Sequence, residues 1–355
     1  MSLKKQTAFL ILSGILALPV LAGAQSGLAP AGSPIVSNIE RRVLTGNIAE
    51  YSFQVRVGSG PYDVIGLHRV VREAAPFRPI QARQAVFFAH GDIWDFRAAF
   101  LTAEASPALP DTQALPVFLA RNGVDVWGID FRWTRVPGNL ADYSFMAGWG
   151  IETDARDLGI GIGVARVVRG LTGSGAGKVI LLGWSRGGQI GYAYLNAESQ
   201  LRPRRRQVKG FIPVDIYLKT DVEEFRQRAC LRAEATEASL AAGMFAATSG
   251  SLISTLGNLA IADPSGSSIL NGPPFNLPGY TNREAGLLVG EATFALLGGL
   301  EPVPFYHFTG GTFDAQGKPT GLLYSAERAL FDLEAAASPV QPNRELADAD
   351  LATCD

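Results

Sequence analysis

Residues 178–194, KVILLGWSRGGQIGYAY, decide how this chain is read. Residues 179–182 are short and wholly apolar, the pattern of a strand buried on both faces. Gly183-Trp184-Ser185-Arg186-Gly187-Gly188 follows, and residues 189–196 have helical character. A G-x-S-x-G pattern between a buried strand and a helix predicts a serine on a sharp turn at the strand end. The glycines are a physical requirement of such a turn. Side chains at Gly183 and Gly187 would collide across it, and the serine must take strained backbone angles. The helix behind it would aim free N–H groups and a positive dipole end at Ser185. The plain alternative is a glycine-rich turn with an incidental serine; the strand before it and the helix after it favour a nucleophile.

The same rhythm recurs on either side. Residues 85–89 (AVFFA) read as a buried strand ending at His90-Gly91-Asp92. Residues 124–129 (VDVWGI) read as another, ending at Asp130-Phe131-Arg132, and 208–214 (VKGFIPV) as a third, ending at Asp215. Residues 151–168 read as a helix. Residues 50–56 and 62–71, around Gly58-Ser59-Gly60, read as a hairpin whose outer face is polar, as at a sheet edge. Strands alternating with helices predict an α/β fold: a mostly parallel sheet with helices on both faces. After Asp215 the rhythm stops. Residues 221–243, 245–262, 283–297 and 321–337 read as helices, 264–281 is rich in Pro, Gly and Ser, and no further buried strand is evident. The expected organisation is a leader at 1–24, an α/β core at 25–219, and a mainly helical cap with the C-terminal segment at 220–355.

The 355 residues are 47% hydrophobic and 18% charged, with a formal net charge of -2. That suffices for one large domain or a core plus cap, and it offers no basic surplus for a nucleic-acid partner. Lys4 and Lys5, an apolar run at 8–21, and Ala22-Gly23-Ala24 before Gln25 form a cleavable export signal. The apolar run is short for a membrane span and contains Pro19, and no cysteine adjoins the site for a lipid anchor. The expectation is a secreted or periplasmic protein with no stable membrane span. In an oxidising compartment Cys230 and Cys354, the only cysteines, are expected to pair.

Three look-alike patterns are set aside. Residues 173–178 (GSGAGK) resemble a phosphate loop, but Thr172 replaces its first glycine, Val179 follows the lysine, and a strand comes after it. Gly159, Gly161 and Gly163 lie in a helical pattern, where small residues allow close packing on a sheet. Arg202-Pro203-Arg204-Arg205-Arg206 is a charged connection. No His, Cys and Asp cluster has metal-ligand spacing, so neither metal nor cofactor is expected.

A serine hydroxyl needs a base, a group to orient that base, and donors for the oxyanion. Ser185 supplies the nucleophile and the Arg186 N–H the first donor. The Asp92 N–H is the candidate second donor, on a loop held by His90 and Gly91, with His90 as scaffold and not base. HGD after one strand, VDVWGIDFRW at the next and GWSRGG at the turn together resemble the α/β-hydrolase family, over roughly residues 90–215. The resemblance implies an eight-stranded, mostly parallel sheet, a Ser–acid–His triad, and a cap that shapes substrate choice. It implies hydrolysis of an ester or related acyl bond in a small molecule. Asp215 stands where some members keep the acid; others keep it one strand later.

Members bring the catalytic histidine from a loop after the last strand. The histidines here, His68, His90 and His307, follow no recognisable final strand. Three expectations stand side by side. The one the sequence favours is a chain that stops before the last strands, leaving an open sheet edge. The second has His307 folding down from the cap as the base. The third is a non-catalytic scaffold holding a hydrophobic ligand between cap and sheet. Leu252, Leu256, Leu259, Leu287, Leu288, Phe294 and Leu296 in the cap point to an apolar acyl or alkyl group. Oligomeric state stays open.

Overall fold

The computed structural model describes residues 36–291 and 311–355. At its centre is an eight-stranded mixed sheet. Its strands are β1 (Val36–Thr45), β2 (Ile48–Arg56), β3 (Val64–Ala75), β4 (Arg78–Pro79), β5 (Gln84–Ala89), β6 (Val124–Asp130), β7 (Val179–Trp184) and β8 (Val208–Val214). They lie in the order β1-β2-β3-β6-β5-β7-β8, with β4 against β3. β6, β5, β7 and β8 form a parallel core, and β1 to β3 extend it antiparallel.

Side chains of β5 alternate between the two faces, as the period of a strand requires. Ala85, Phe87 and Ala89 join the core on one face, with Leu158 and Ile162 of α3 (Ile151–Leu171) and with Ile190 and Tyr194 of α4 (Arg186–Ser199). Val86 and Phe88 join the core on the other, with α1 (Phe96–Phe100) and α2 (Leu115–Arg121). Helices on both faces follow directly. Gly161 sits against Leu67 and Phe87, so the small residue does serve close packing of α3 on the sheet.

The hairpin forms, but it is not at an edge. β3 is paired on both sides, by β2 and β6, and β1 covers β2. Of the hairpin's polar residues Arg69 is buried: it makes a two-point bond to Asp125 of β6, and Arg169 of α3 reaches the same carboxylate at 2.7 Å. At the opposite side β8 has β7 as its single partner among the described residues, and Ile212 and Val214 are 45% and 37% exposed.

Beyond β8 the chain is largely helical: α5 (Glu223–Ala241), α6 (Ser249–Ala262), α7 (Asn282–Glu291), α8 (Glu327–Ala335) and α9 (Asn343–Cys354). Two expected helices start late. Ala246–Ala247 pairs instead with Gln341–Pro342, and Pro319–Leu322 with Gly311–Phe313. α6, α7 and α8 share a small core of Ala260, Leu287, Leu330 and Phe331. α9 leaves that group and returns to the sheet domain, where Asp348 Oδ2 accepts the Ile151 N–H at the start of α3 (3.2 Å). The expected disulfide is present: Cys230 of α5 and Cys354 of α9 have Cα atoms 4.8 Å apart. No helix among the described residues is long and apolar enough to cross a membrane. Residues 1–24, expected as a leader, and Phe294, Leu296 and His307 lie outside the described residues.

Candidate active site

Ser185 comes directly after β7 and directly before α4, with φ 52° and ψ −127°. That backbone region costs a non-glycine residue about 1–3 kcal/mol and persists only where surroundings enforce it. Here the Ser185 N–H donates to the Val214 carbonyl of β8 (2.9 Å), and its own carbonyl accepts the Gly188 N–H (2.7 Å). A β-carbon at Gly187 would lie 2.3 Å from the Ala89 carbonyl oxygen and 2.5 Å from that of His90. One at Gly183 would lie 2.5 Å from the Gly187 oxygen. The turn is thus jammed between its own backbone and the end of β5.

The His90-Gly91-Asp92 turn presses on Ser185 from the β5 side. A β-carbon at Gly91 would be 2.9 Å from Ser185 Cβ and 3.4 Å from its Oγ. His90 is fully buried. Its Nε2 accepts the Phe131 N–H (3.2 Å), so its Nδ1 carries the proton and donates to the Gly91 carbonyl (2.8 Å). Burial pushes this imidazole down, which keeps it neutral. The Asp92 carboxylate accepts from Arg186 Nε (3.0 Å), from Arg186 Nη2 (3.4 Å) and from Gln341 Nε2. The backbone N–H groups of Asp92 and Arg186 have no acceptor among the described residues.

Asp215 follows Val214, the acceptor of the Ser185 N–H, and has φ 58°. Partial burial raises its carboxyl. The structure therefore brings Ser185, Arg186, His90, Gly91, Asp92 and Asp215 together at the C-terminal ends of β5, β7 and β8. Trp94 stacks on Trp184 beside the turn (centroids 5.8 Å apart), and its indole N–H donates to Leu333 O of α8 (2.9 Å).

His68 is elsewhere. Its Nδ1 is 2.7 Å from Glu50 Oε1, its Nε2 is 2.9 Å from Asp130 Oδ2, and its ring stacks on Phe96. Burial would push this imidazole down; the two carboxylates outweigh it and push it up to about 9. Burial likewise opposes ionisation of Glu50, but His68 and Arg97 hold it down to about 2. His68 is thus a structural cation. Neither His68 nor His90 has a free ring nitrogen for Ser185.

Two residues of this region give no local signal in the sequence. Gln341 reaches Asp92 across 249 positions. Glu345, one turn further on, is fully buried with Oε2 3.5 Å from Gln341 Nε2. Burial and the nearby Asp92 charge push it up to about 8. Among the described residues no group of three or more His, Cys, Asp or Glu is arranged to hold a metal ion.

No family model and no curated protein sequence matches this chain. Solved structures do. A Sulfolobus solfataricus protein provisionally called a lipase superposes with a TM-score of 0.55 at 20% identity, over 88% of this chain and 79% of that one. A thermophilic esterase from Thermogutta terrifontis matches with a TM-score of 0.28 at 20% identity, over 51% of this chain and 52% of that one. The rice cell wall degrading esterase from Xanthomonas oryzae matches with a TM-score of 0.34 at 16% identity, over 51% and 45%. The first of these shows the fold: this chain has the α/β-hydrolase fold, with Ser185 on the turn after a central parallel strand.

Proposed function

We propose that this chain is a serine hydrolase that cleaves an ester or related acyl bond through an acyl-enzyme on Ser185. The observation that carries the reading is the strained Ser185 backbone, held between β8 and the Gly91-Asp92 turn at the start of α4. Ser185 Oγ attacks the acyl carbon as a base takes its proton. The oxyanion is received by the Arg186 and Asp92 N–H groups, backed by the positive end of α4. The proton passes to the leaving alkoxide, and water then releases the acyl group by the same steps. Asp215 is the proposed acid, since it follows the residue that binds the Ser185 N–H. His307, outside the described residues, is the proposed base; His68 and His90 are committed to other partners. Trp94 and Trp184 beside the turn, with the apolar cap, favour an apolar acyl or alkyl group. Export through the leader at 1–24, to a secreted or periplasmic location, fits the Cys230–Cys354 disulfide.

A fluorophosphonate probe and 4-nitrophenyl esters test this together. The expected result is labelling at Ser185 and turnover that falls about 10⁴-fold or more in Ser185→Ala and in His307→Ala. The rival, a non-catalytic protein holding a hydrophobic ligand, draws on the lack of a histidine at Ser185 among the described residues. Folded protein that binds an apolar ligand but takes no label and turns nothing over would establish it.

A further inference from the structure

Resting on the hydrolase reading, we propose that Gln341 and Glu345 of the C-terminal segment are positioning residues that hold the Arg186–Asp92 pair, and with it both oxyanion donors. The two donors belong to segments 94 residues apart. Their N–H groups must converge on one oxygen to within tenths of an ångström for the hole to work. Their side chains supply a direct link, Arg186 contacting both Asp92 carboxylate oxygens. Gln341 Nε2 donates to the same oxygen, Oδ1, that accepts from Arg186 Nε. Asp92 is gripped from two sides.

The segment that brings Gln341 is itself fixed. Ser338 N donates to the Ile93 carbonyl, one residue past Asp92 (2.5 Å), and Asn343 N donates to Phe245 O (3.0 Å). At the far end of α9 the disulfide holds Cys354. Gln341 is 2% exposed, so its amide does not exchange Asp92 for water.

Glu345 sets the charge balance of the clamp. Facing it are Asp92 from the β5 loop, Arg186 from the turn, and Asp348 of its own helix, which is paired with Arg344. Asp154 of α3 also faces it, with both oxygens unpartnered among the described residues, and behind it stands Asp157, bound to Arg132. Arg186 is thus the cation shared by Asp92 and Glu345, while Asp154 has Arg132 as its nearby cation. As a neutral acid Glu345 leaves Arg186 and Gln341 to Asp92. As a carboxylate it would repel Asp92 and compete for both partners, loosening the hole. Its ionisation, beside Gln341 Nε2 at 3.5 Å, should therefore loosen both donors on the alkaline side.

The full chain is assayed for kcat and KM from pH 6 to 10, as wild type, Gln341→Leu and Glu345→Gln, after labelling at Ser185 has been checked at pH 7. Wild-type kcat should fall about tenfold from pH 7 to pH 9, with KM changing less. In Glu345→Gln, which keeps the shape and cannot ionise, that fall should vanish. Gln341→Leu should lower kcat about tenfold or more at pH 7 with KM within about threefold. An alkaline fall that persists unchanged in Glu345→Gln, or a Gln341→Leu variant with wild-type kcat, overturns the clamp and leaves the hydrolase reading standing. Wild type that neither labels nor turns over overturns both.

Discussion

His68 and His90 sit at the same end of β6, equally buried, in opposite charge states. The difference lies in what their neighbours offer. His68 faces two acceptors, Glu50 and Asp130, so both ring nitrogens must donate and the ring is a cation. His90 faces one donor, the Phe131 N–H, and one acceptor, the Gly91 carbonyl, which together select a single neutral tautomer. Desolvation penalises charge at both sites; only at His68 do carboxylates outweigh it. Both rings act as fasteners for residues 130 and 131, beside the turn that supports Ser185. A buried histidine near a candidate nucleophile is therefore not a base by position; it needs a nitrogen free to accept.

The largest test of this contrast is His68→Leu. It leaves Glu50 to Arg42 and Arg97 and Asp130 to Arg135, two buried acids short of a central cation. Loss of about 3–5 kcal/mol is expected in urea unfolding, and a loss below about 1 would deny the charged state. Next comes pH. His68 is raised above its unfolded value of 6.5, so its contribution is complete below that value and fades as pH rises through about 9, by about 3 kcal/mol. His90 is depressed, so its contribution is present above 6.5 and fades as pH falls. Unfolding free energies across pH 5–10 should show both slopes on top of the fall that the raised Glu345 gives up to about pH 8, with the fall around pH 9 smaller in His68→Leu. Third, His90→Phe strands the Phe131 N–H and the Gly91 carbonyl. It should cost about 2 kcal/mol and slow probe labelling of Ser185, a kinetic effect that His68→Leu at permissive temperature should not match. The smallest effect belongs to Arg97→Met. Its partly exposed bond to Glu50 (2.9 Å) should be worth under about 1 kcal/mol, which would mark His68 as the main partner of that carboxylate.

The turn at Ser185 was legible because its requirements lie in six consecutive residues. The parallel core was legible because strands buried on both faces leave unbroken apolar runs. β1 carries VSNIERRVLT, half of it exposed and three of its ten residues charged, as suits an edge strand, and so offers no clean apolar alternation to read. α9 hides Asn343, Glu345 and Thr353 beside Ala347 and Ala349, an inside face too polar to announce itself. His68 reads as a hairpin residue because its partners come from β2 and β6, and only the sheet order brings them together. The same holds for Gln341 and Asp92, which no spacing rule connects.

The Cys230–Cys354 bond closes a covalent ring across 124 positions, and that ring contains α6, α7, α8 and the exposed stretch 273–279. Closing a loop of this size restricts the unfolded chain by about 4–5 kcal/mol. It also changes what a protease can do. A single cut at 273–279 opens the ring without dividing the molecule, so the nicked protein should run as one species until a reductant is added and as two afterwards. A cut in that stretch then adds a swivel and removes nothing: the piece bearing Gln341 stays leashed within reach of Asp92.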